Sequence, residues 1–400
     1  MRPDCRHFTG AIPCRFHKRD GRACDERCED YSRVVRRILI VKLGAAGDVL
    51  RTTCILPALR HAYPGAQITW ITEAPAMPLL EGNPLIDRIV ARDRAVERLL
   101  VERFDLGLGL DPDEQGGALL ALARCAARAG YVLDDLGRVM PVNVAARQWW
   151  VMGLDDGEKR SNRRTYQSLL HEICGLEDSG SRPQLFVPAA VRDRVRDRLS
   201  PSLAGFDRVV VLNTGGGGRW PQKKWTPAHY AGFARLVRRR EPRTAVIVAG
   251  GPEERALNAD VMRASAADAG IIDAGCANTL TEFAAIVERA DLVVTSDSLA
   301  LHVATAVSRP VVAIVGPTSP WELETYGTGE VVTADVPCLA CYRRACDKAV
   351  TCMELLLPER VYAACVRVRR GGQRVATAAA GSPLPFSALR AAPQYGRRGR

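Results

Sequence analysis

No apolar run in the 400 residues approaches the roughly 18–20 that a helix needs to cross a bilayer. The start of the chain lacks the apolar centre of a secretory leader, because residues 1–33 are polar, charged and rich in cysteine. A cytosolic location is therefore expected. Helix-turn-helix and finger patterns are missing as well, which argues against nucleic acid as a partner. The turn GAAGD at residues 44–48 lacks the third glycine of a dinucleotide fingerprint. What is present is a composition of 47% hydrophobic and 25% charged residues, ordinary for a globular protein and long enough for two domains with their own cores.

Acidic residues are absent from residues 366–400, which hold eight arginines and so leave only +3 of the net +11 to the other 365 positions. The basic character belongs to this Gly-, Ala- and Pro-rich tail, which reads as disordered and accessory rather than as the mark of an anionic partner for the body. Thirteen cysteines in a cytosolic chain do not suggest a disulfide framework. Eight of them fall into two groups of four. Cys5, Cys14, Cys24 and Cys28, interleaved with His7 and His17, lie in a segment too polar to form a core, and Cys338, Cys341, Cys346 and Cys352 have the closer spacing C-x2-C-x4-C-x5-C. Both groups read as ligand sets for a structural Zn²⁺ or an iron–sulfur cluster, the second one placed away from the chemistry.

Between these segments, strands and helices alternate. RILIVK (37–42) is a buried strand, followed by a glycine turn and a helix over 50–62. Further strands are expected at 68–72, 86–91 and 105–110, and an alanine-rich helix over 113–130. Residues 143–165 are less regular, with Trp149 and Trp150 expected at a domain boundary. The run Asn162 to Tyr166 is either an acceptor contact or a solvated helix start. Prolines and charges over 183–205 mark a linker. The pattern resumes with strands at 208–212 and 245–249, a short strand and helix over 270–290, and a βαβ unit over 291–320. Continuous apolar strands alternating with helices predict α/β domains with doubly wound parallel sheets.

In such sheets ligands bind at the carboxyl ends of the strands. Three loops qualify. After the strand at 208–212 come Thr214, Gly215, Gly216 and two more glycines, whose amides suit a phosphate, then Lys223 and Lys224, which can neutralise its charge. Glu253 and Glu254 follow the strand at 245–249, placed to accept ribose hydroxyls or merely to favour a helix start. Ser296, Asp297 and Ser298 precede a helix beginning at Leu299, with His302 one turn on as a partner for Asp297.

The block D-S-x-x-x-H-x-A-x-A followed by RPVVAIVGPT resembles the glycosyltransferase family 9 (heptosyltransferase-type) signature. So does the opening K-L-x-x-x-G-D-V-L-x-T-x-x-x-L-P-A-L-R-x-x-x-P, through Lys42, Gly47, Asp48, Pro57, Leu59, Arg60 and Pro64. The resemblance spans roughly residues 36–360. It implies a GT-B fold, in which two Rossmann-like domains face each other across a cleft. Here they would be residues 34–182 for the acceptor and 206–365 for the nucleotide sugar, joined by the linker 183–205 and flanked by the cysteine-rich segment 1–33 and the tail 366–400. It also implies an inverting transfer of heptose or a related sugar from ADP-heptose to a lipopolysaccharide-core or related glycolipid acceptor, with no cofactor required for catalysis. Carried over by motif, Asp48 is the general base, although local chemistry alone would make it a helix N-cap. Lys223 binds the donor diphosphate, while Gly47, Arg51 and Arg60 lie on the acceptor side. Peripheral contact with the cytosolic face of the inner membrane would bring the acceptor within reach. The competing readings are a glycosyltransferase using another nucleotide sugar for an O-chain or surface glycan, and a non-catalytic sugar-nucleotide binding protein.

Overall fold

The computed structural model describes residues 1–218, 220–265 and 268–371; Arg219 of the glycine loop and most of the basic tail, residues 372–400, lie outside the described residues. The first sheet contains β1 (Arg36–Val41), β2 (Ala66–Thr72), β3 (Arg88–Ala91), β4 (Arg103–Gly109), β5 (Arg124–Leu133) and β6 (Val139–Pro141), in the spatial order β3-β2-β1-β4-β5-β6. The second contains β7 (Arg208–Asn213), β8 (Thr244–Ala249), β9 (Ile271–Asp273), β10 (Leu292–Ser296), β11 (Val311–Val315) and β12 (Gly329–Thr333), in the order β12-β11-β10-β7-β8-β9. All neighbouring pairs are parallel except the antiparallel pair β5–β6. The two sheets have the same winding. In each, the order reverses beside the first strand, so the crevices of the two domains open at β1/β4 and β7/β10.

The central strands are apolar because helices cover both faces. Ile38 to Val41, Val246 to Ala249 and Leu292 to Val294 have no accessible surface. Four readings of the sequence are corrected by this packing. The helix expected over 113–130 stops at Leu122, and residues 124–133 form β5, whose register against β4 pairs Leu106 with Ala127 and Leu108 with Ala129. The linker is not loose. Residues Ala189–Leu203 form a helix whose Val191, Val195, Leu199 and Leu203, four residues apart, are buried against the second sheet. Trp149 and Trp150 lie in helix Val144–Leu154 and pack on the first domain's core, Trp149 edge-on to Tyr166 at 4.9 Å and Trp150 Nε1 donating to the Val139 carbonyl at 3.0 Å. The body also runs past residue 365: helix Pro358–Arg369 carries Arg367 to Glu330 and Arg369 to Glu241.

Candidate functional site

The floor on the first domain is the loop after β1. Lys42, at its start, is 3% exposed and donates to Asp111 Oδ1 at 2.5 Å and to the Leu110 carbonyl at 3.2 Å. The other Asp111 oxygen accepts from the amides of Leu43 and Gly44. Asp111 follows β4, so this buried ion pair ties together the two strands that flank the switch point. Burial works against the charged amine, but Tyr166, Asp111 and Asp48 outweigh it and keep Lys42 protonated above its ordinary range. A Cβ on Gly44 would lie 2.8 Å from Asp111 Oδ1, so a side chain there would press on this ion pair.

Asp48 stands in the first turn of helix Ala46–Thr52 and is not its N-cap, which is Ala45. Its carboxylate is therefore free of capping duty and meets Arg51 Nη2 at 2.7 Å. The Arg51 guanidinium lies 3.4 Å over the Tyr166 ring, which fixes its plane. Burial pulls the Asp48 carboxyl up, but the Arg51 and Lys42 cations win and hold it below the usual carboxylate range. Asp48 is ionised at neutral pH.

The second domain supplies the opposite wall. Asp297 Oδ2 accepts from Lys223 Nζ at 2.6 Å and from Thr318 Oγ1 at 2.9 Å. Burial opposes its charge, yet Lys223 brings the carboxyl down to about 2. The partner expected for Asp297, His302, is displaced from that role by Lys223 and Thr318. His302 is buried instead. Desolvation and the Arg51 cation lower it to about 4, so its ring is neutral. Its Nδ1 finds no hydrogen-bond partner among the described residues. Lys224 donates to Glu254 at 2.7 Å; Glu254 is buried and closes its own turn by accepting from the Gly251 amide at 3.0 Å. Glu253 is exposed and borders the glycine loop at Gly217 and Gly218, so the two glutamates divide into a wall and a rim.

Two other candidates and one further residue hold the walls in place. The Ser296 hydroxyl donates to the Gly215 carbonyl at 3.1 Å, joining the loops after β7 and β10. Ser298 caps helix Leu299–Ala306 by accepting from the Ala300 amide at 3.3 Å. Asn213, which the sequence reading passed over, donates to the Gly215 carbonyl, Thr295 and Ser298 from one amide nitrogen. Gly216 lies close enough to Lys224 that a Cβ would stand 3.3 Å from its Cγ.

Two expected contacts turn away from the crevice. Thr214 is fully buried and donates to Asn258 Oδ1 at 2.5 Å and to the Ala249 carbonyl at 3.1 Å, so its hydroxyl serves the core. Arg60 binds Asp87 at 2.7 Å, the Leu85 carbonyl and the Ala66 carbonyl, at the amino ends of β2 and β3. That is the opposite edge of the sheet, and Arg60 is a structural tie there.

The two walls meet where helix Ala46–Thr52 abuts helix Leu299–Ala306. A Cβ on Gly47 would stand 3.1 Å from the His302 ring and 3.4 Å from the Leu299 Cα. Asp48, Arg51, His302 and Asp297 consequently form one electrostatic group drawn from both domains. Residues from beyond the motifs complete the rim. The Tyr342 hydroxyl donates to Glu322 at 2.9 Å, the Tyr166 amide donates to the Glu322 carbonyl at 3.1 Å, and the Arg163 guanidinium lies 3.7 Å over Trp321. Asn162 to Tyr166 therefore joins the domains, with Thr165 capping helix Tyr166–Ile173. Tyr342 lies between Cys341 and Cys346, so the second cysteine segment borders the crevice rather than lying apart from it.

Among the described residues no three His, Cys, Asp or Glu side chains are placed to hold a metal ion. Cys352 is pushed up to about 11 by burial and by the nearby Cys341, Cys338 and Cys346, and all thirteen cysteines are unpaired. Among the described residues no helix is long and apolar enough to cross a membrane.

The sequence model of glycosyltransferase family 9 (heptosyltransferase) matches residues 159–350. Lipopolysaccharide heptosyltransferase 1 of Pseudomonas aeruginosa is 25% identical over 346 residues, which cover 78% of this chain and 87% of that protein. Two solved structures share the fold. A family 9 glycosyltransferase from Veillonella parvula superposes with a TM-score of 0.70 at 20% identity, covering 84% of this chain and 97% of its own. Escherichia coli ADP-heptose lps heptosyltransferase II gives 0.60 at 18% identity, covering 84% and 99%. With two wound sheets facing across a crevice in the GT-B manner, and a charged seam where they meet, the chain is similar in sequence and in fold to the heptosyltransferase-type glycosyltransferases of family 9.

Proposed function

We propose that the chain transfers a heptose, or a closely related sugar, from ADP-heptose to a hydroxyl of a lipopolysaccharide-core or related glycolipid acceptor. The donor and acceptor classes come from the names of its relatives, one a lipopolysaccharide heptosyltransferase and the other an ADP-heptose enzyme. The observation that carries the mechanism is the ionised Asp48 carboxylate, placed across the seam from the Lys223–Asp297 pair.

In this reading the acceptor oxygen attacks the anomeric carbon as Asp48 takes its proton. The bond from that carbon to the diphosphate oxygen breaks, with inversion. Arg51 keeps the base charged before substrate arrives, so Asp48 is a weak base made effective by position and by exclusion of water. The leaving diphosphate is neutralised by Lys223 and Lys224, by the amides of the loop from Gly215, and by the amino end of helix Leu299–Ala306. Asp297 holds Lys223 in the crevice and orients the donor sugar, and the Glu253–Glu254 turn receives the ribose. An acceptor of this kind is presented at the cytosolic face of the inner membrane, where the enzyme acts as a peripheral visitor. The Cys338–Cys352 group has a structural part, and no step passes through it.

The test is transfer from a panel of nucleotide sugars, ADP-heptose included, to lipopolysaccharide-core acceptors by the wild type and Asp48→Asn. The expected result is turnover with ADP-heptose that falls by roughly 10²–10⁴ in the variant. An Asn variant within about threefold of wild type would remove Asp48 from the chemistry. Tight nucleotide binding with no transfer to any acceptor would remove the donor–acceptor assignment.

A further inference from the structure

Residues 1–33 are ordered against the first domain with almost nothing buried. Cys5, 9% exposed, is the single buried side chain among them, and helix Arg15–Asp20 buries none. The attachments are concentrated at one point. The Val34 amide donates to the Asp4 carbonyl, the Arg6 amide to the Ser32 carbonyl, and Cys5 forms an isolated bridge with Arg33. The Arg6 guanidinium reaches buried Asp87 at 2.7 Å, and Gln67 Nε2 donates to the Arg6 carbonyl at 3.2 Å. From Phe8 to Tyr31 the chain has no apolar core. Fixing a backbone costs about 1–2 kcal/mol per residue, and a segment this small needs a staple in place of a core.

The interior of the segment supplies the means. It borders an open-sided cavity of about 580 Å³, and Cys5, Cys14, Cys24 and Cys28 all line it. All four thiols are unpaired. The Arg2 amide donates to Cys24 Sγ at 3.3 Å, the kind of contact that stabilises a thiolate. The two imidazoles on the cavity have other engagements: His17 Nδ1 is 2.9 Å from the Arg22 carbonyl, and the His7 ring packs edge-on against Phe16. Thiols from four separate points of the chain thus line one cavity.

We infer that Cys5, Cys14, Cys24 and Cys28 form a four-thiolate centre for a thiophilic metal, either a single Zn²⁺ or an iron–sulfur cluster, which closes residues 1–33 into a module clamped to the first domain. The thiols lose their protons on binding and draw in around the metal from the walls they now line. The centre lies at the amino-terminal edge of the first sheet, beside Asp87, remote from Asp48 and outside the reaction.

The test uses the full chain purified anaerobically from medium supplemented with zinc and iron. Zinc, iron and acid-labile sulfide per chain are measured for wild type, for Cys24→Ser/Cys28→Ser and for Cys338→Ser/Cys341→Ser, the last because the second cysteine group is an independent candidate. Loss of about one metal centre in the first variant but not through the second assigns the site, and the sulfide content distinguishes cluster from lone zinc. A second measurement needs no variant: Cys14, Cys24 and Cys28 of the wild type, all partly exposed, are alkylated and mapped by mass spectrometry with and without 1,10-phenanthroline. At least a tenfold faster reaction after chelation is expected. Equal metal in wild type and Cys24→Ser/Cys28→Ser, or equal alkylation rates with and without chelator, overturns the assignment.

Discussion

Lowering the pH from 7 to 5 should cost the folded chain about 2 kcal/mol through His302 alone, by proton linkage. Burial, followed by the Arg51 cation, takes this imidazole from its ordinary 6.5 to about 4 in the folded protein. Asp297 and Asp48 pull the other way, Lys223 adds to the depression, and the balance leaves a neutral ring. Below pH 6.5 the unfolded chain takes a proton that the folded chain refuses. Stability is therefore complete above that value and drains as pH falls toward 4, where the loss reaches about 3 kcal/mol at ~1.4 kcal/mol per unit. Asp297, at about 2 in the fold, contributes its own loss only below its ordinary 3.8, outside the pH 7–5 interval. The assay is urea unfolding of the wild type and His302→Gln at pH 7 and pH 5. The wild type should lose about 2 kcal/mol more than the variant across that interval, because Gln does not titrate. Equal losses in the two proteins, or a His302 resonance titrating near 6.5, would refute the argument that the seam excludes water and charge from this ring.

The remaining predictions concern the walls of the crevice. Asp111→Ala leaves the Lys42 ammonium buried without its carboxylate and should destabilise the first domain by about 3–5 kcal/mol in urea unfolding; a loss below about 1 kcal/mol would mean that the loop after β1 does not depend on the pair. Leu199→Ala should cost about 2–5 kcal/mol if helix Ala189–Leu203 is part of the second core, and a change near zero would return that segment to the status of a linker. Lys223→Met should weaken ADP binding by roughly 10–100-fold, the loss of one charge-assisted contact, as read by calorimetry. Unchanged ADP affinity would leave Lys223 as a support for Asp297 and nothing more.

The second sheet, apart from its half-exposed edge strand β12, and the centre of the first were legible in the sequence because parallel strands covered on both faces must be apolar throughout, and RILIVK, TAVIVA and LVVTS show it. β5 was not. RCAARAGYVL is alanine-rich and looks helical taken alone, and only its pairing with β4 and β6 makes it a strand. The helix Ala189–Leu203 was hidden behind its charges and prolines, although the four-residue spacing of Val191, Val195, Leu199 and Leu203 was there to be counted. Around the site, the loops could be found by their glycines and by their position after strands, which brought Asp48, Lys223 and Asp297 into view. Their partners could not. Asp111 lies 69 residues from Lys42, and Asp297 lies 74 from Lys223. Local spacing carries no record of pairings that only the closed fold makes. Asp111 alone left a signal, an acid directly beyond a strand's carboxyl end. Arg60 and Thr214 erred the other way, since membership of a motif does not say which edge of a sheet, or which face of a strand, a side chain serves.

Gly47 contributes no functional group, yet it sets the clearance between the two lobes. Its hydrogen faces the His302 ring and the start of the Leu299 helix at a distance that a methyl group would overfill. A larger residue would act as a shim, holding the lobes a few tenths of an ångström apart. Asp48 is the next residue on one lobe and Asp297 lies just ahead of Leu299 on the other, so the offset would pass to the spacing of these two carboxylates across the seam. Misplacement by about 1 Å can cost a hundredfold in rate. The tolerance of the whole machine is thus gauged by one missing carbon atom.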